Sequence, residues 1–139
     1  MVLLGGATGV MMSDTMGTFR ISVELAAVGR EDDRRAVHSV LIDTGSELSW
    51  FPAEVLESLA IKRAKLSRFR QASGAVVERW TGAATIYAAG TLTFDEVVFA
   101  ESTDMTILGA RTLEGLNLTI DPANKRLIDA GPVLAAVAA

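Results

Sequence analysis

From Phe19 to Leu25 the chain alternates between apolar and polar side chains. Phe19, Ile21, Val23 and Leu25 interleave with Arg20, Ser22 and Glu24. A period of two is that of an extended strand with one face buried; a helix would scatter the same residues around its circumference. Similar runs recur as far as Ile128, each stopped by Gly, Asp, Asn or Ser. Such a chain is confined to a compact, mostly β architecture.

The segment Gly29 to Arg35 reads as a solvated, charged hairpin turn. Val37 to Ile42 resumes an apolar strand that runs into Asp43-Thr44-Gly45-Ser46. One short helix is expected after Pro52, which suits a first turn, with Val55, Leu56 and Leu59 as its apolar positions. Lys62 to Arg70 holds five basic residues; a solvated strand edge is preferred there to a patch for an anionic partner. Arg68–Ala72 and Ala75–Ala88 form a hairpin tipped by Ser73-Gly74, and Ala89-Gly90 punctuates its end. Thr91–Ala100 is a strand with Val97, Val98 and Phe99 as its buried end. Thr106–Gly109 is a short strand followed by a helical turn near Arg111–Gly115. Asn117–Ile120 and Arg126–Ile128 pair across an Asp121-Pro122 turn.

At 139 residues there is room for one domain. Its expected limits are 16–130, with a leader at 1–15 and a tail at 131–139 that is either a frayed end or an intersubunit strand. The absence of cysteine removes disulfides, thiolate nucleophiles and cysteine-ligated zinc. His38 is the only histidine, which argues against a histidine-based metal cluster. It is read as a structural side chain on the face of its strand opposite Asp43. A net charge of −4 argues against nucleic acid as a partner. No run reaches the roughly 18 to 20 apolar residues of a spanning helix. The apolar start lacks the basic region of a signal peptide, so no membrane association and a cytoplasmic location are expected.

The chemistry is concentrated in Val40-Leu41-Ile42-Asp43-Thr44-Gly45-Ser46. A carboxylate ends a buried strand, on a turn that glycine keeps tight, and Ser46 offers a hydroxyl to hold it. If a second such carboxylate lay alongside, the two could not both ionise easily and would share one proton. One would then act as general base on water while the other hydrogen-bonded a substrate carbonyl.

With this motif, the hairpin Arg68 to Thr81 and the strand Ile107-Leu108-Gly109 followed by Thr112-Leu113, the chain resembles retropepsin-type aspartic proteases. These are the single-domain half of the pepsin architecture, and the likeness is strongest to bacterial relatives. It spans roughly Phe19 to Ile128. The resemblance implies a half-barrel with one or two short helices, assembled as a symmetric homodimer with the site on the two-fold axis. Asp43 would be the catalytic carboxylate, and Thr44 would donate its hydroxyl across the dimer interface. Gly45 and Ser46 would complete the loop. Ala72, Ser73, Gly74 and Ala75 would form a flap over an extended peptide or protein substrate. Ile107, Leu108 and Gly109 would support the loop, as would Glu47 paired with Arg111. No metal or organic cofactor is needed.

The chain departs from the family at Ala110, which separates Gly109 from Arg111 where retroviral members place the arginine directly after the glycine. Its flap is also poorer in glycine than is common. Leu127-Ile128-Asp129-Ala130-Gly131 echoes the active-site motif without the threonine, and too little chain follows to build a second lobe. Trp50 and Phe51 are assigned to the core. Trp80 either lines a pocket or packs beneath the hairpin, and Asp121 is a turn residue. A strand ending in Asp-x-Gly-Ser also marks the phosphate loop of actin-like and sugar-kinase ATPases, but 139 residues cannot supply their two lobes. The remaining rival is a non-catalytic module of the same fold that holds an extended segment of a partner.

Overall fold

The computed structural model describes residues 3–4, 9–11, 13–15 and 18–138. Much of the expected leader therefore lies outside the described residues. Within it are β1 (Leu3–Leu4), β2 (Gly9–Met11) and β3 (Ser13–Thr15). The alternating segment is β4 (Thr18–Ala27), and the resumed strand is β5 (Arg34–Ile42). They are followed by β6 (Ser49–Pro52), helix α1 (Ala53–Ser58), β7 (Lys65–Arg70), β8 (Val76–Ala88) and β9 (Thr91–Ala100). The chain ends with β10 (Ile107–Leu108), helix α2 (Ala110–Gly115), β11 (Leu118–Asp121) and β12 (Arg126–Asp129).

Eight strands form one sheet in the order β3-β4-β5-β10-β6-β9-β8-β7, and β4 also pairs with β8. That extra pairing, through Leu25 opposite Ile86 and its neighbours, closes β4, β5, β10, β6, β9 and β8 into a ring. Closure leaves those strands without a free edge, the usual remedy for exposed ladder groups. Strands β3 and β7 remain outside the ring, each hydrogen-bonded on one side. A second sheet joins β1, β2, β12 and β11.

The core fills the ring. Ile21, Val23 and Leu25 from β4, Val40 and Ile42 from β5, and Val97 and Phe99 from β9 meet Phe51, Leu56, Ile86, Leu108 and Leu113. Pro52 precedes the first turn of α1, whose Leu56 and the following Leu59 are buried. Beyond β12 the described tail carries no regular structure, and Val133, Leu134 and Val137 are exposed.

Two local readings are corrected. The alternation in β5 is broken by a bulge at Ser39, which has φ 60°, where the register with β4 shifts between Ile21 and Val23. A bulge adds a residue to one strand and resets which side chains face inward. Val37 and Val40, three apart, are consequently both buried. Counting alternate faces from Asp43 back to His38 therefore fails; His38 is exposed, with its Nδ1 2.9 Å from Ser22 Oγ. Trp80, in turn, neither packs beneath the hairpin nor lines its groove. It sits opposite Leu66 in the β7–β8 ladder, on the face away from Phe69 and Val77, and is exposed.

Candidate active site

Asp43 follows the last residue of β5, and the short strand β10 lies parallel to that end. Its N–H donates to the Leu108 carbonyl at 3.0 Å, continuing the contact of Leu41 N–H with Thr106 at 3.1 Å. The chain then turns sharply. Ser46 N–H donates to the Asp43 carbonyl at 3.1 Å, and Gly45 N–H to the Asp43 carboxylate at 2.9 Å. The backbone so orients one carboxylate oxygen and leaves the other available. Ser46 Oγ does not hold this carboxylate; it donates to the Leu48 carbonyl at 2.8 Å and staples the far side of the loop.

Behind the loop stands Gly109, where a Cβ would lie 2.5 Å from Leu48 O and 2.7 Å from Ser46 O. Only glycine permits this approach. Ala110 N–H then reaches the Ser46 carbonyl at 2.8 Å, and Arg111 N–H the Glu47 carbonyl at 3.0 Å. The contact between Glu47 and Arg111 is thus made through the main chain. The expected side-chain pair is absent because the Arg111 guanidinium turns to Asp95 at 3.5 Å and Glu96 at 3.8 Å. The intervening Ala110 moves the arginine one position along α2.

A buried polar chain that the sequence reading did not include supports Gly109. Gly109 N–H donates to Ser49 Oγ at 2.9 Å, Ser49 Oγ lies 2.5 Å from Thr112 Oγ1, and Thr112 donates to Asp95 at 2.8 Å. Ser49 and Thr112 are fully buried. The available signal was a serine at an inward position of β6, since a buried hydroxyl has to find a partner.

The Asp43 loop forms one wall of a groove of about 490 Å³. Asp43, Gly45, Ser46, Trp50 and Ile107 line one side, Phe69, Arg70, Gln71, Ala72 and Val77 of the hairpin another, and Thr103, Asp104 and Met105 complete it. Trp50 and Phe69 meet edge to face, with ring centroids 5.1 Å apart. Trp50 thus belongs to the groove, whereas Phe51 is buried in the core as expected. Of the proposed flap residues Ala72 reaches the groove, while Ser73, Gly74 and Ala75 form the exposed tip. The tip is closed by Gln71 N–H to Ala75 at 2.7 Å and Gly74 N–H to Gln71 at 2.9 Å. Leu108 is buried in the core, so it supports the loop through its carbonyl alone.

Thr44 points elsewhere. It is exposed and borders a separate recess of about 280 Å³ with Ala110, Leu113, Leu118 and Ile120.

The hairpin is fastened to the opposite wall by charge. Arg79 of β8 makes two hydrogen bonds to Asp104, at 2.7 and 2.9 Å, and both side chains are largely buried. The Arg79 guanidinium holds the Asp104 carboxyl below the usual carboxylate range, and the same pairing raises Arg79. Glu96 is also held low, first by the Thr81 hydroxyl donating to it at 2.7 Å. Asp129 repeats the Asp43 turn in miniature, with Gly131 N–H on its carboxylate at 2.8 Å, but it is exposed and lies outside the groove. Asp121 caps its turn through Asn124 at 2.8 Å. Among the described residues no three His, Asp or Glu side chains are grouped to hold a metal ion, and no helix is long and apolar enough to cross a membrane.

No protein-family model matches the chain, and no curated protein matches it in sequence. In structure it is similar to a retropepsin-like aspartic protease from Rickettsia conorii. The TM-score is 0.56 at 16% identity, over 86% of this chain and 88% of that one.

Proposed function

The chain has a retropepsin-like fold, and we propose that it is an aspartic endopeptidase acting as a symmetric homodimer. The observation that carries this reading is the Asp43 carboxylate, oriented by Gly45 N–H and facing a groove closed on one side by the β7–β8 hairpin. One chain contributes one such carboxylate, so the two-carboxylate reaction needs a second copy across a two-fold axis. Exposed Thr44, beside a recess on the other side of the loop, is free to meet that copy.

In this reaction the ionised carboxylate takes a proton from water as the water oxygen bonds to the scissile carbonyl carbon. The protonated partner donates to the carbonyl oxygen. Collapse of the tetrahedral species breaks the C–N bond, and the leaving nitrogen takes up a proton. Extended substrate would lie between the hairpin and the loop, with an apolar side chain against Trp50, Phe69, Val77 and Ile107. Because the pair must retain one shared proton, activity is expected from acidic to near-neutral pH.

The rival, a groove that binds peptide without cutting it, uses the same walls. It gives no chemical role to a carboxylate oriented in this way. Asp43→Asn separates the two readings: it abolishes cleavage and retains binding if the endopeptidase reading holds, and changes neither property if the groove only binds.

A further inference from the structure

Hairpin β7–β8 has two faces, and only one of them belongs to the groove. Cross-strand partners share a face, and successive residues alternate between faces. Phe69 with Val77 and Ser67 with Arg79 therefore lie together, on the side where Phe69 meets Trp50 and Arg79 holds Asp104. The other side carries three pairs, Leu66 with Trp80, Arg68 with Glu78, and Arg70 with Val76. All six are exposed, the three apolar ones by 41 to 49%.

The segment that builds this hairpin has a charge opposite to that of the chain. Residues 62 to 80 include six cations and one carboxylate, Glu78, in a protein of net charge −4. Arg63, Lys65 and Arg79 are matched by Glu57, Glu96 and Asp104. Lys62, Arg68 and Arg70 form no ion pair among the described residues. Arg70 makes one hydrogen bond, to the Gly74 carbonyl at 3.1 Å, and keeps most of its five N–H donors. Arg68, Arg70 and Val76 border a recess of about 230 Å³. A merely solvated strand edge would carry charge alone, without an exposed Trp, Leu and Val among its cations.

We propose that this outer face docks a partner protein through an extended segment with acidic residues at two alternate positions and an apolar residue at the next. Arg68 and Arg70 are two residues apart on one strand, about 7 Å, which matches carboxylates at alternate positions of an extended chain. The next alternate position meets Leu66 and Trp80. The recess is of a size to take one side chain, which favours a peptide over an anionic bilayer. Glu78 in the middle of the face and the net charge of −4 also oppose a bilayer. A second copy does not fit, because two such faces would set Arg68 and Arg70 against the same cations. The surface lies outside the groove and does not depend on the endopeptidase reading.

The test is fluorescence anisotropy at low salt, on Asp43→Asn protein so that no probe is cut. The probe is a short labelled Thr-rich peptide with Glu at two alternate positions and Leu at the next. Its Gln analogue should bind about tenfold more weakly, the scale of two exposed ion pairs, and added salt should narrow the difference. Arg68→Gln with Arg70→Gln should erase the preference, and Arg68→Glu with Arg70→Glu should transfer it to the Lys analogue. Trp80→Ser should weaken the Glu and Gln peptides alike. Equal binding of the two peptides, no binding of either, or a preference unchanged in the double Gln variant overturns the proposal.

Competition separates this face from the groove. An uncharged apolar peptide should bind the protein with or without Arg68→Gln and should not displace the acidic probe; displacement would place both in one site and sink the proposal. Vesicles of phosphatidylserine and phosphatidylcholine supply the other arm. Sedimentation with them that the double Gln variant loses, without any peptide preference, would assign the face to a membrane. A lower sedimenting mass of that variant would assign it to a second copy. Either result overturns the proposal.

Discussion

The Ser49 and Thr112 hydroxyls stand 2.5 Å apart in the core, and their neighbours fix the direction of the hydrogen bond between them. The Thr112 hydroxyl donates its hydrogen bond to Asp95, whose side-chain oxygen is the acceptor. Ser49 must therefore donate to Thr112 while receiving Gly109 N–H on its own oxygen. The chain runs from the backbone behind the Asp43 loop to the Asp95 side chain beside Arg111.

Breaking this chain should loosen the loop from behind. Thr112→Val leaves the Ser49 hydroxyl without its acceptor and takes one of several hydrogen-bond partners from Asp95, and destabilisation of about 2 kcal/mol is expected. Ser49→Ala should cost a similar amount by orphaning Gly109 N–H. The double variant should lose less than the sum of the two, because the second change removes a bond already broken. Urea unfolding at neutral pH measures all three, and strict additivity would show that the residues act separately.

Gly109→Ala should be among the most damaging single-methyl additions in the chain. The new Cβ would lie 2.5 Å from a backbone oxygen, and neither segment can move without carrying the Asp43 loop with it. A loss of about 3 kcal/mol, the upper range of overpacking, is expected. Thermal unfolding of Gly109→Ala against Gly74→Ala provides the control, since the latter sits in open space and is penalised through its positive φ alone.

The Arg79–Asp104 clamp predicts a pH dependence with a definite sign. Its carboxyl is held low in the fold, so its contribution is complete above the unfolded carboxyl value of about 3.9 and fades as pH falls through the lower folded value. Arg79→Met should cost about 3 kcal/mol near pH 7, where Asp104 is left charged and largely buried without its partner. That difference from wild type should narrow below about pH 4 as the orphaned carboxyl takes up a proton. A gap independent of pH would remove the electrostatic explanation. The clamp should accordingly persist through the mildly acidic range in which the proposed carboxylate pair works.

Assembly gives a separate handle. Each chain of 14.7 kDa should sediment as a species of about twice that mass at concentrations where it cuts peptides. Cleavage per chain should fall on dilution as dimers part. Activity per chain that stays constant down to a fully monomeric sample would exclude a shared site.

The sequence already carried the β-rich fold, the strand ending at Asp43 and the short apolar strand at Ile107-Leu108-Gly109, because alternation and glycine punctuation are local signals. It was silent where tertiary packing decides. Ring closure through β4 and β8 joins residues some sixty positions apart, such as Leu25 and Ile86. The bulge at Ser39 shifts a face without any glycine or proline to announce it. Arg111 was aimed at Glu47 by analogy, and one inserted residue sent it to Asp95 instead. Trp50 read as core because, with Phe51, it leads directly into the short helix, and only the approach of Phe69 made it a groove wall.

The most direct test of the central claim is mass-spectrometric mapping of cuts in a peptide library from about pH 4 to 7.5, with Asp43→Asn alongside wild type. The account predicts cuts next to apolar residues by the wild type and none by the variant, although the variant still binds the same peptides. Binding by both proteins with no cuts from either, in samples shown to be dimeric, would contradict it.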